Sequence, residues 1–320
     1  MFGVLVSICF LFGGGLLSLI ILSKSGVSAG DLGSLHIGSS EKVISTFIWM
    51  QLVTHAATFL IPSLIFALII SKTPFKFLGL KKIGNSKQPL LVMLIALAAI
   101  PVFIGISSIF QQLHFLGTWG QNLQNELESK EAAIMNMTSF KSFLLLFFTM
   151  AVLPAAGEEL LFRGVLMRLI TKSFRSVPSL PQTDLLPKTA SSPPSRKSII
   201  ASIFITAILF TAMHMNVYGA LSIFLAGLLL GYIYYLTGSL WCSILFHLLN
   251  NGVQVALSYF GNSNRTVKNV MESNSLPAPF VIISFIILIA SIYLLVKNKT
   301  PLPADWPNDF EGEAVFENQS

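Results

Sequence analysis

Apolar residues fill this chain in long runs, broken by short polar connections. Eight stretches qualify, or nearly so, as bilayer-crossing helices: about 2–23, 43–70, 89–110, 142–170, 199–216, 218–236, 239–260 and 278–296. A hydrocarbon core about 30 Å thick takes roughly 20 mostly apolar residues, each rising 1.5 Å along the helix. The pattern therefore predicts an all-α fold, a polytopic transmembrane bundle of about eight helices. The fourth run differs from the rest in carrying charges near its end. Between the third and fourth runs, the loop 120–138 has the pattern of a short amphipathic helix, with Leu123, Leu127 and Ile134 on one side.

The remaining segments set the organisation. Residues 1–70 form a two-helix membrane segment, 71–260 the membrane core, 261–296 the final helix region and 297–320 a tail. Residues 176–195 are rich in Ser and Pro and read as a flexible linker. The tail is acidic from Asp305 onward, lacks an apolar period and is expected to be disordered. Val27-Ser28-Ala29 resembles a signal cleavage site. Yet the first run lacks a basic n-region and exceeds the usual 7–15 apolar residues. A retained first helix is expected.

Composition agrees. Hydrophobic residues make up 53% and charged residues 11%, with a mean hydropathy of +0.75. A soluble domain has roughly 25% charged residues, so this chain lacks the means to coat a water-facing surface. The net charge of +6 does not imply nucleic acid, because the Lys and Arg residues stand at the ends of apolar runs. There they act as topology determinants. Lys72, Lys76, Lys81, Lys82 and Lys87 crowd one loop; Arg168, Lys172, Arg175, Lys188, Arg196 and Lys197 flank another; Lys297 and Lys299 follow the last run. With eight helices these flanks share one side, which predicts that both termini are cytoplasmic. Cys9 and Cys242 lie inside apolar runs and read as packing residues.

Ionisable groups inside a membrane segment are costly and mark function by default. They are few here: His55, Glu158, Glu159, Arg163, His214 and His247, joined by the amides Asn250 and Asn251. Pro154 precedes the two glutamates and frees backbone groups there. Glu159 and Arg163 stand four apart and pair on one helix face. Glu158, rotated by 100°, is left to face a cavity, and partial desolvation raises its proton affinity as a general base requires. The alternative is a helix end with snorkelling charges. His214 closes the stretch Phe210-Thr211-Ala212-Met213-His214. His247 and Asn251 share a face and suit an oxyanion, or an interhelical hydrogen-bonded pair. His55 reads as a helix–helix hydrogen bond, and His36 and His114 take no role. Counting residues from the helix ends places His214 nearer the outer face than Glu158.

Glu-Glu-x3-Arg, Phe-x3-His and His-x3-Asn, in this order on three apolar runs, resemble the signature of the CAAX-protease and bacteriocin-processing family. That family includes the type II CAAX prenyl endopeptidases. The likeness covers roughly 70–260, including the lead-in Phe77-Leu78-Gly79-Leu80-Lys81. The resemblance implies an intramembrane endopeptidase. Glu158 would be the general base, with His214 holding the water, His247 and Asn251 receiving the oxyanion, and Glu159, Arg163 and Phe210 as structural support. No obligate cofactor is implied; the alternative is a zinc ion on Glu158, His214 and His247. The substrate would be a membrane-anchored peptide or protein, entering from the cytoplasm or sideways from lipid, in a bacterial plasma membrane. Rival readings are a non-catalytic membrane scaffold or immunity factor of the same fold, and a proton-coupled transporter.

Overall fold

The computed structural model of the chain describes residues 2–113, 117–136, 139–174, 195–261, 276–303, 306 and 308. They are mostly helical, with no strand among them. Eight helices are long and apolar enough to cross a membrane. They are α1 (Phe2–Ser25), α2 (Glu41–Ile70), α3 (Gln88–Gln112), α5 (Phe140–Ser173), α6 (Arg196–His214), α7 (Ala220–Thr237), α8 (Leu240–Gly261) and α9 (Ala278–Lys297). An amphipathic helix, α4 (Gly117–Met135), lies between α3 and α5 and buries Ala133 and Ile134. The protein is an integral, multi-pass membrane protein.

The helices α3, α5, α7 and α8 form the centre; α9 packs along α3, α6 against α5 and α7, and α2 against α5. On α9, Ile282, Ile283, Phe285, Ile286 and Ile289 remain exposed, as expected of a lipid-facing helix. The α1 helix packs on α2 at the periphery.

One end of the bundle is knitted together. The backbone N–H of Leu240 donates to the Gly79 carbonyl at 2.8 Å, and that of Thr300 to the Leu236 carbonyl at 2.7 Å. Gln88 donates its amide to the Asn298 carbonyl at 2.9 Å. Gly79 has φ 82° and lies against the Tyr234 hydroxyl. That left-handed turn beside a fixed ring admits only glycine. The same packing corrects the expectation of a disordered tail from residue 297. Asn298 to Thr300 is bonded into the fold, and Trp306 is fully buried beside Tyr234 and the Arg168 guanidinium. A single aromatic ring on a cation face anchors the segment without any apolar period. Residues 309–320 and the predicted linker lie outside the described residues, apart from Ser195. The Ser195 hydroxyl accepts from the Ser198 N–H at 3.1 Å and caps α6.

Candidate active site

α5 is interrupted twice by wider π-helical turns, at Phe148–Val152 and Leu160–Leu166, and the segment Leu153–Glu159 lies between them. Pro154 has no N–H to give to the carbonyl four residues back, that of Met150. Asn251 of α8 takes the freed acceptor, its Nδ2 donating at 3.2 Å. Gly157 is the close approach on the other side: a Cβ there would lie 3.2 Å from that of Phe59 on α2. The tight contact brings His55, one turn earlier on α2, to the carboxylate that follows Gly157.

Glu159 and Arg163 are both fully buried and pair at 2.9 Å. Arg163 also donates from Nη2 to the Gly227 carbonyl at 2.9 Å and lies 4.9 Å from the centre of the Phe210 ring. The Phe210 ring meets Phe162 edge-on at 5.3 Å. Glu159 has a second donor, Nδ1 of His247 at 3.0 Å. This carboxylate therefore holds both an arginine and an imidazole in place.

Glu158 is also buried, at 6% exposure, but its circumstances differ. Its Oε1 lies 3.5 Å from His55 Nε2, and its Oε2 lies 4.0 Å from both His214 Nε2 and His247 Nε2. Its Oε2 is buried with no hydrogen-bond partner among the described residues. His214 is fixed from behind, with Nδ1 2.7 Å from the Phe210 carbonyl. A carbonyl oxygen only accepts, so Nδ1 carries the hydrogen. Nε2 then faces Glu158. The same holds at His247, whose Nδ1 faces the Glu159 carboxylate. Two imidazole nitrogens and a carboxylate oxygen meet across gaps too long for direct hydrogen bonds, and 4.0 Å is a span that fits one bent water with bonds of about 2.6–3.2 Å.

The structure thus brings together Glu158, His214 and His247, with Arg163 turned to Glu159. Of these, His214 and His247 line a cavity of about 170 Å³ together with Asn251, Phe210 and Asn250, while Glu158 stands behind the two rings and is not part of its lining. One of the two Asn251 amide hydrogens is committed to Met150, which leaves one for a ligand. His55 was expected to make a helix–helix hydrogen bond; instead its Nε2 has no such bond and faces Glu158. The signal was its place among the few intramembrane ionisable groups, but nothing in the motifs linked it to the others. The depth mismatch shrinks when measured from the basic end. Glu158 lies about 22 Å from Ser173, and His214 about 27 Å from Arg196, along their helix axes.

Glu158, His214 and His247 have the donor types of a zinc site. Their spacing does not match one, since no group of three or more His, Cys, Asp or Glu among the described residues is placed to hold a metal ion.

The cavity continues outward. It shares Ile223, Ala226, Asn250 and Gln254 with a second cavity of about 340 Å³. This in turn shares Ser108 and Gln111 with a third of about 430 Å³ beneath α4. The cleft therefore opens where α3 and α6 end, opposite the knitted, Lys-rich end. The expected cytoplasmic entry and the expected cytoplasmic termini exclude one another for this cleft.

Residues 140–253, little more than a third of the chain, match the family model described as type II CAAX prenyl endopeptidase Rce1-like. The match contains Glu158, Glu159, Arg163, Phe210, His214, His247, Asn250 and Asn251, but not His55, Phe59 or Gln254. No curated protein and no solved structure matches the chain.

Proposed function

We propose, from the premise that residues 140–253 form an Rce1-like domain, that this membrane protein is an endopeptidase. It hydrolyses a peptide bond of a membrane-associated substrate with water activated by Glu158 and His214. The observation that carries the reading is Oε2 of Glu158. It is a buried acceptor without a hydrogen bond, facing two imidazole nitrogens that are fixed from behind.

The step balances as follows. Water held between Glu158 and His214 attacks the carbonyl carbon and loses a proton to this acid–base pair. The tetrahedral oxyanion is met by the free amide hydrogen of Asn251. The C–N bond then breaks, and the proton passes to the leaving amine, giving one carboxyl and one amino product. His55, facing the other carboxylate oxygen, keeps that oxygen turned away from the water. The reading routes no step through a metal, and cleavage is expected to survive a chelator.

The test compares new protein N-termini in membranes carrying the wild type or Glu158→Gln. A set of termini that disappears with the variant supports the endopeptidase. Identical sets, with the variant folded, favour a scaffold of the same fold.

A further inference from the structure

The cleft that leaves the catalytic cavity has a distinct chemistry. Its polar lining is made of neutral side chains, chiefly carboxamides: Gln111, Gln124, Asn125, Asn250 and Gln254, with Glu128 the one charged group, at the outer mouth. A carboxamide offers one donor group and one acceptor, the same pair that a peptide unit presents. Such a lining suits the main chain of an extended polypeptide. It holds no Lys or Arg to pair with an anionic headgroup or a phosphate. Asn250 stands where the inner cavity joins the cleft, and its Oδ1 is buried without a hydrogen-bond partner among the described residues. That acceptor lies one residue from Asn251 and awaits a donor such as a peptide N–H.

The two ends of the bundle also differ in charge. The connections at the knitted end hold Lys72, Lys76, Lys81, Lys82 and Lys87, and α6 and the segment after α9 place Lys197 and Lys299 there. The connections at the open end balance Lys24, Lys42, Lys130, Lys141, Arg265 and Lys268 against Asp31, Glu41, Glu126, Glu128, Glu131 and Glu272. Lys and Arg in short loops are retained on the cytoplasmic side. The cleft mouth, beneath α4 and beside the end of α6, lies on the opposite side.

From these two observations we propose that the cleft is the substrate-binding site and that it takes an extended polypeptide segment from the extracytoplasmic face. The substrates are accordingly exported or membrane-anchored proteins whose cleaved segment has already crossed the bilayer. The proposal rests on the endopeptidase reading for its substrate but not for its geometry, so the test has two arms.

In the first arm, Cys9 and Cys242 are replaced by Ser, and single cysteines are introduced as Gln124→Cys, Gln254→Cys and Lys82→Cys. Intact cells are treated with a membrane-impermeant maleimide. Labelling of the two cleft positions, with Lys82→Cys labelled only after lysis, is the expected result. Labelling of Lys82→Cys in intact cells, or protection of both cleft positions, overturns the proposal. In the second arm, the N-termini lost in Glu158→Gln membranes are mapped onto the topology of the proteins that carry them. They are expected on segments facing away from the cytoplasm. Loss of termini confined to cytoplasmic segments overturns the inference and leaves the endopeptidase standing. No lost termini with external labelling overturns the endopeptidase, and with it the substrate, but not the side of entry.

Discussion

Glu159 accepts from Arg163 and from His247 through Oε1, whereas Glu158, one residue earlier, faces three imidazoles and hydrogen-bonds to none of them. The two carboxylates should therefore fail differently when neutralised. Glu158→Gln keeps the volume and removes the base, so cleavage should vanish while the thermal midpoint in detergent holds. Glu159→Gln leaves the Arg163 charge without its counterion in a fully buried site. Such a loss costs about 3–5 kcal/mol and should appear as a lower thermal midpoint and poor yield. Equal stability in both variants would reverse these assignments. His55→Phe preserves the ring stacked on Phe59 at 4.4 Å and removes the nitrogen facing Glu158. It should fold normally and cut turnover by roughly tenfold or more, read as the rate of loss of the identified substrate. The pairing of Glu159 with Arg163 was legible in the sequence because four-residue spacing fixes a helix face. The link from Glu159 to His247 was not, because their contact is set by how α8 packs on α5.

At the scale of the element, the spans were legible to within a turn, since lipid demands one unbroken apolar length from each helix. What the pattern hid was the interior of α5. A proline reads as a break, yet here the helix continues and hands one carbonyl to α8. Pro154→Ala restores an N–H for the Met150 carbonyl and competes with Asn251 for it. The expected result is unchanged or higher thermal stability together with slower cleavage, because the amide no longer has its anchor. A fall in stability with normal cleavage would mean that Asn251 owes its position to something else. Gly157→Leu tests the neighbouring contact. Its side chain meets Phe59 and Leu60 and should push α2 from α5, giving the activity loss of His55→Phe with an added loss of stability. Neither role of Gly157 was visible beforehand, as a glycine among alanines carries no periodic signal.

For the molecule as a whole, the sequence carried the charge asymmetry between the two ends, and the folded chain supplied the direction in which the cavity opens. Helix spacing alone could not show that direction, because the cleft is made by α3, α4, α7 and α8 together. The packed tail was equally hidden: Trp306 reads as one aromatic in a polar stretch until Arg168 and Tyr234 are seen around it. The knitted end then has a consequence for the membrane itself. Water admitted as deep as Glu158 meets the buried rings of Phe162, Phe246 and Tyr234 below it, and the chain closes over them from Gly79 to Trp306. On the endopeptidase reading, the chamber closes toward the knitted end among the described residues, so substrate, water and both products share the cleft as their route. A cell can keep such an enzyme in an energised membrane without short-circuiting its ion gradients, and a long cleavage product must back out before the next chain can enter.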